Sequence, residues 1–147
     1  MLRKTWILVG DASRARIFLG SEAGDTWSLV DDLDFPPGRE RVHDLVTDHP
    51  GSAKQIGAKG TKVGMTPPTD PKEKEAIRFA RTLAGRLKKG RTDREYDALV
   101  LVAPPHFLGM LRGELDSDTA HLVVKSQHHD YTQFRPDQLE KMVEWRS

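Results

Sequence analysis

Two stretches of this chain are nearly continuous apolar runs, TWILV at 5–9 and ALVLV at 98–102. A strand with one wet face alternates, so an unbroken run predicts burial on both faces. Pro104 and Pro105 follow the second run; they cannot extend a hydrogen-bonded ladder, and they suit the start of a helix. Phe107, Leu108, Leu111 and Leu115 then recur at helical spacing. Residues 96–112 therefore predict a central strand that turns directly into a helix. In open α/β sheets, ligand sites lie just beyond such strand ends.

The other patterns are read against that stretch. After the first run, Gly10-Asp11-Ala12-Ser13 has turn chemistry, and residues 15–19 resume an extended pattern. A second turn is expected at 20–25. Trp27, Leu29 and Leu33 then alternate with polar residues, as in a half-exposed strand. Three strands joined by short turns predict an antiparallel meander. Residues 35–69 break the pattern with five prolines and five glycines, and only Val42, Leu45 and Val46 suggest a brief local element. A loop this long is either functional or disordered.

Residues 70–73 announce a helix: Asp70 as cap, Pro71 in the first position and Glu73 as capping-box partner. Ala76, Phe79, Ala80, Leu83, Ala84 and Leu87 form its apolar face, and Gly90 is read as its stop. A strand is expected at 121–125, a polar loop at 126–135, and a last helix at 136–145 with Leu139, Met142 and Val143 on one side. The predicted order is β-β-β-α-β-α-β-α. It matches an α/β fold of one domain, 1–147: an RNase H-like mixed five-stranded sheet of order 3-2-1-4-5, with helices on both faces. A doubly wound sheet ranks second, because its opening needs crossovers and these turns are too short.

Composition narrows the function classes. The 23 Lys and Arg nearly balance the 22 Asp and Glu, for a formal net charge of +1. Any argument for nucleic acid must therefore come from a local patch. With no cysteine, disulfides, thiolate chemistry and sulfur-bound zinc are excluded. The apolar run at 6–9 is too short for a signal-peptide core, and no stretch approaches the roughly 20 apolar residues of a spanning helix. The expected location is the cytoplasm, with no membrane partner.

Four segments taken together, WILVGDASRARIF, PGRERVHDLVTDHPG, TDPKEKEAIRFARTLAGRL and LVLVAPPHFLGMLR, resemble the bacterial host-attachment protein family. That family is similar in fold to the middle domain of archaeo-eukaryotic peptide chain release factors, itself RNase H-like. In release factors a Gly-Gly-Gln tip on a loop of this domain enters the peptidyl-transferase centre. The long loop here holds Lys54-Gln55-Ile56-Gly57 and Lys59-Gly60-Thr61 instead, so peptidyl-tRNA hydrolysis is not carried over.

Candidate chemistry is sparse. Asp11 ends the first strand, where an RNase H-type nuclease needs an acid, but two-metal hydrolysis requires several more. The other central strand ends Ala103-Pro104-Pro105 with no carboxylate; Glu73 and Glu75 suit a helix start, and Asp130 falls in a loop. The plainer reading of Asp11 is a turn residue accepting backbone hydrogen bonds. His128-His129-Asp130 lacks ligand spacing, because neighbouring strand residues point to opposite faces. No nucleophile elbow or phosphate-binding glycine loop is present. The basic residues of the long loop, Arg39, Arg41, Lys54, Lys59 and Lys62, are candidates for RNA phosphates. Asp11, His106 and Arg112 are candidates to line the crevice. These readings predict a non-enzymatic binding module without metal or cofactor, with RNA, the ribosome or a protein as partner. A metal-dependent nuclease centred on Asp11 and a protein-interaction factor in host attachment are the alternatives.

Overall fold

The structure is a computed structural model and describes residues 3–21, 26–35 and 71–145. The loop cations Arg39, Arg41, Lys54, Lys59 and Lys62, the cap Asp70, and the brief element at 42–46 lie outside the described residues. Strands β1 (Lys4–Gly10), β2 (Arg14–Ser21) and β3 (Ser28–Asp34) are followed by α1 (Pro71–Thr92), β4 (Ala98–Ala103), α2 (Pro105–Glu114), α3 (Ser117–Ala120), β5 (Val123–His128) and α4 (Pro136–Met142). They build one five-stranded sheet of order β3-β2-β1-β4-β5. β1 pairs antiparallel with β2 and parallel with β4, and β4 pairs parallel with β5. This is the mixed sheet expected from the hydrophobic pattern.

The central pair explains the two apolar runs. Thr5 lies opposite Ala98 and Val9 opposite Val102, and every residue of β4 is buried. Side chains alternate between two cores, as the period of a strand demands. Trp6, Leu8, Leu99 and Leu101 face α1 and α2, where Phe79, Leu83, Leu87, Phe107 and Leu111 complete one cluster. Ile7, Val9, Val100 and Val102 face the other way, against Leu139, Val143 and Trp145. Helices therefore cover both faces. Burying each such Leu or Val fully contributes about 1.5–3 kcal/mol, so this strand pair dominates the core. Its register is pinned at the entry: Lys4 N–H donates to Asp97 Oδ2 (3.0 Å), Asp97 N–H donates to Lys4 O (2.8 Å), and Lys4 Nζ donates to Arg94 O (3.1 Å).

Three elements have boundaries that differ from the expected ones, and one short helix is additional. α1 runs past Gly90 to Thr92. Gly90 is there for packing: a Cβ at this position would come within 2.6 Å of Trp6 Cζ3 and 3.0 Å of Tyr96 Cε1. The helix ends two residues later, with Glu95 N–H bonded to Gly90 O and Arg94 N–H to Arg91 O. That pair of hydrogen bonds needs a left-handed residue, supplied by Arg94 at φ 59°. The single turn α3, unforeseen in the sequence, is capped by Asp116, whose carboxylate accepts from Thr119 N–H (3.1 Å). β5 is displaced from 121–125 to 123–128, because its outer half, Lys125-Ser126-Gln127-His128, is an edge strand and needs little apolar character. α4 stops at Met142, which is exposed, while Val143 and Trp145 continue into the core as extended chain.

Candidate functional site

β1 leaves the sheet towards β2 on one side, and β4 leaves towards β5 on the other. The ends of these two strands are thus the topological switch point of the sheet, the place where ligand sites of open α/β sheets are expected. Asp11 caps the β1–β2 turn there. Its Oδ1 accepts from Ser13 N–H (2.8 Å) and Arg14 N–H (3.1 Å), while its own N–H donates to Arg14 O (2.8 Å). Gly10 permits this tight return, since a Cβ would lie 2.7 Å from Ala15 Cβ.

The 129–135 loop closes over the same end. Arg16 on β2 reaches across and donates through Nη2 to Thr132 O and Phe134 O, both at 2.9 Å. Burial, then the neighbouring Arg14 guanidinium, lower the pKa of Arg16, and Asp32 on β3 pulls the other way. Arginine stays cationic throughout the range in which proteins work. Thr132 is buried, and its Oγ1 lies 2.8 Å from Asp130 Oδ1 and 3.5 Å from Asp11 Oδ2. One hydroxyl carries one proton, so the short contact to Asp130 takes it and the Asp11 contact is weak. Beside them the ring of His129 stacks on Tyr131, 4.7 Å between centroids and 3° from parallel, and Phe134 meets Tyr131 edge-on.

The cleft lined by Val9, Arg14, Ala15, Arg16, Asp32 and Thr132 has a volume of about 140 Å³. Pockets for organic ligands run to roughly 300–1,000 Å³. Its charges are mixed, and Arg16 and Thr132 are spent on the 129–135 loop. This corner holds the loop to the sheet. Among the described residues no three His, Asp or Glu side chains converge to hold a metal ion.

The three crevice candidates have different partners. Asp11 serves its own turn. His106, in the first turn of α2, faces Glu73 of α1 across 3.8 Å, with both side chains well exposed. Arg112 Nη1 donates to Ser126 Oγ (2.7 Å) and ties α2 to β5. The switch-point residues that sequence reasoning missed are Arg14, Arg16 and Thr132. Arg14 and Arg16 alternate with buried Ala15 and Ile17, so their common face was readable; the position of Thr132 depends on how its loop returns.

A family model described as "Protein required for attachment to host cells" matches residues 6–143. No curated protein matches the chain. Among solved structures, the crystal structure of an archaeal translation termination factor, aRF1, is similar in fold, with a TM-score of 0.50 and 11% sequence identity. The match takes in 95% of this chain and 37% of the termination factor, so this chain corresponds to a part of that protein. Among the described residues no helix is long and apolar enough to cross a membrane.

Proposed function

We propose, from the premise that the chain belongs to the family of proteins required for attachment to host cells, that it is a non-enzymatic binding module of the cytoplasm. Its ligand is translation-related RNA or the ribosome, reached through the basic residues of the 35–69 segment. The observation that carries this reading is the fold likeness to a translation termination factor over 95% of the chain. The switch-point geometry supports it: Asp11 is committed to two backbone N–H groups, and the adjacent cleft is small and of mixed charge.

The test is co-sedimentation with ribosomes and equilibrium binding to ribosomal RNA across a salt series. Binding should fall steeply as salt rises, as expected of phosphate contacts. Lys54→Ala, Lys59→Ala and Lys62→Ala together should weaken it by at least about tenfold. Binding that ignores these substitutions sinks the reading. The nuclease alternative predicts cleavage of RNA or DNA in Mg²⁺ or Mn²⁺ that disappears in Asp11→Asn; the proposal expects no cleavage by either protein.

A further inference from the structure

The described surface carries a charge asymmetry that the net charge conceals. α1 holds eight Lys and Arg against two Glu, a net of +6 within a chain of formal net +1, so the remainder of the chain is acidic. Lys74, Arg78, Arg81 and Lys88 are all exposed, and at 100° per residue they fall within one narrow stripe opposite the buried face. Gly85 sits in the same stripe, with open space where its Cβ would be. From Lys74 to Lys88 the row is about 21 Å long.

Helix stability does not account for this row. Lys88 suits the negative C-terminal end, but Lys74 stands in the N-terminal turns, where the helix dipole disfavours a cation. Lys74 with Arg78 and Arg78 with Arg81 are like-charged pairs at i,i+4 and i,i+3, each costing about 0.2–0.5 kcal/mol. A face built for solubility intersperses both signs. Among the described residues, Glu75 lies 3.5 Å from Arg78 and Glu114 3.3 Å from Arg81, and Asp116, engaged by Arg91 at 3.4 Å, flanks the Lys88 end of the row, which leaves the helix with a large positive excess. The single aromatic residue of the helix, Phe79, is buried, so this face offers no platform for stacking bases. A row of cations along one helix face without aromatics reads phosphates and shape.

We infer that the exposed ridge of α1, built from Lys74, Arg78, Arg81 and Lys88, docks against the phosphate backbone of double-stranded RNA. The inference rests on RNA as the class of partner named above, and adds a helix face to the contact proposed for the 35–69 segment. A-form duplexes are recognised by their backbone and shape, which is what such a ridge can sense.

The test is fluorescence anisotropy of the full chain with an RNA duplex of about 20 base pairs and with one of its strands alone, from about 50 to about 200 mM salt. The duplex should bind more tightly than the single strand, with a log–log salt slope of about −3 or steeper. Lys74→Gln, Arg78→Gln and Lys88→Gln combined should lower affinity at least about tenfold and flatten the slope by about 2–3. Lys125→Gln with Lys141→Gln, away from α1, should change neither. Lys74→Glu alone relieves the helix dipole, so it should raise the melting temperature while weakening binding. A structural role for the ridge would move stability and binding in the same direction. Wild-type affinity in the triple variant, absence of duplex binding, or preference for the single strand overturns the inference. If only the Lys54, Lys59 and Lys62 substitutions abolish binding, the inference fails and the proposed function stands. If only the α1 substitutions do, the reverse holds.

Discussion

Glycine and arginine exchange their usual places at the end of α1. Gly90 lies inside the helix because the Trp6 ring occupies the space of its side chain, and Arg94 takes the left-handed position that glycine commonly fills. Gly90→Ala should therefore destabilise the protein by about 1–3 kcal/mol through overpacking. Gly85→Ala, where a Cβ meets nothing within 4 Å, should stabilise it by about 0.5–1 kcal/mol. Arg94→Gly removes the left-handed strain and should also gain about 0.5–1 kcal/mol. Urea denaturation of the three variants checks the signs, and a stabilising Gly90→Ala would contradict the packing described. The sequence shows a glycine near a helix end, which reads as a stop; that it instead admits an indole depends on Trp6, more than eighty residues away.

Tyr96 joins helix to sheet. It packs on Trp6 with ring centroids 4.6 Å apart, and its hydroxyl donates to Leu87 O in the last turns of α1. Burial, outweighing the opposing pull of Arg91, pushes its phenol from 10.0 up to about 12. A group whose folded pKa is raised binds its proton longer in the folded chain than in the unfolded one. The associated stability is complete below pH 10 and is lost as pH rises through about 12. Tyr96→Phe should cost about 1 kcal/mol at neutral pH through the lost hydrogen bond and leave a shallower alkaline decline. Denaturant melts at neutral pH and between pH 10 and 12 measure both effects. At this scale legibility tracks burial. The unbroken run of β4 and the prolines opening α2 announce themselves. β5 is shifted because its polar end pairs on one side only, and α3 is missed because a single turn, Ser117–Ala120, has no periodicity to read.

For the molecule as a whole, the sheet order was readable because β1 and β4 are nearly continuous apolar runs, the short turns make β1 to β3 a meander, and the later strands enter by crossovers, a pattern that matches an RNase H-like sheet. The candidate site was less legible. Asp11 was placed correctly at the end of β1, and its carboxylate accepts the backbone hydrogen bonds of its own turn, as its plainer reading held; Asp11→Ala should cost about 1 kcal/mol, while Asp11→Asn should keep most of the turn's stability. A thermal melt that ranks the two variants the other way would refute that role. The α1 ridge escaped notice because a helix with a clean apolar face accounts for its own pattern; its polar face is informative only once the signs of its charges are counted.

The parallel pairing of β1 with β4 also sets a timetable for the newborn chain. Lys4 and Asp97, which lock that pair, are 93 positions apart. At roughly 5–20 residues per second, the ribosome delivers the second strand about 5–20 s after the first. Until then the opening hairpin has oily residues on both sides and no middle neighbour. During this interval the chain should be open to chaperones and proteases, and arrest of synthesis shortly before residue 98 should leave a polypeptide that protease digests completely.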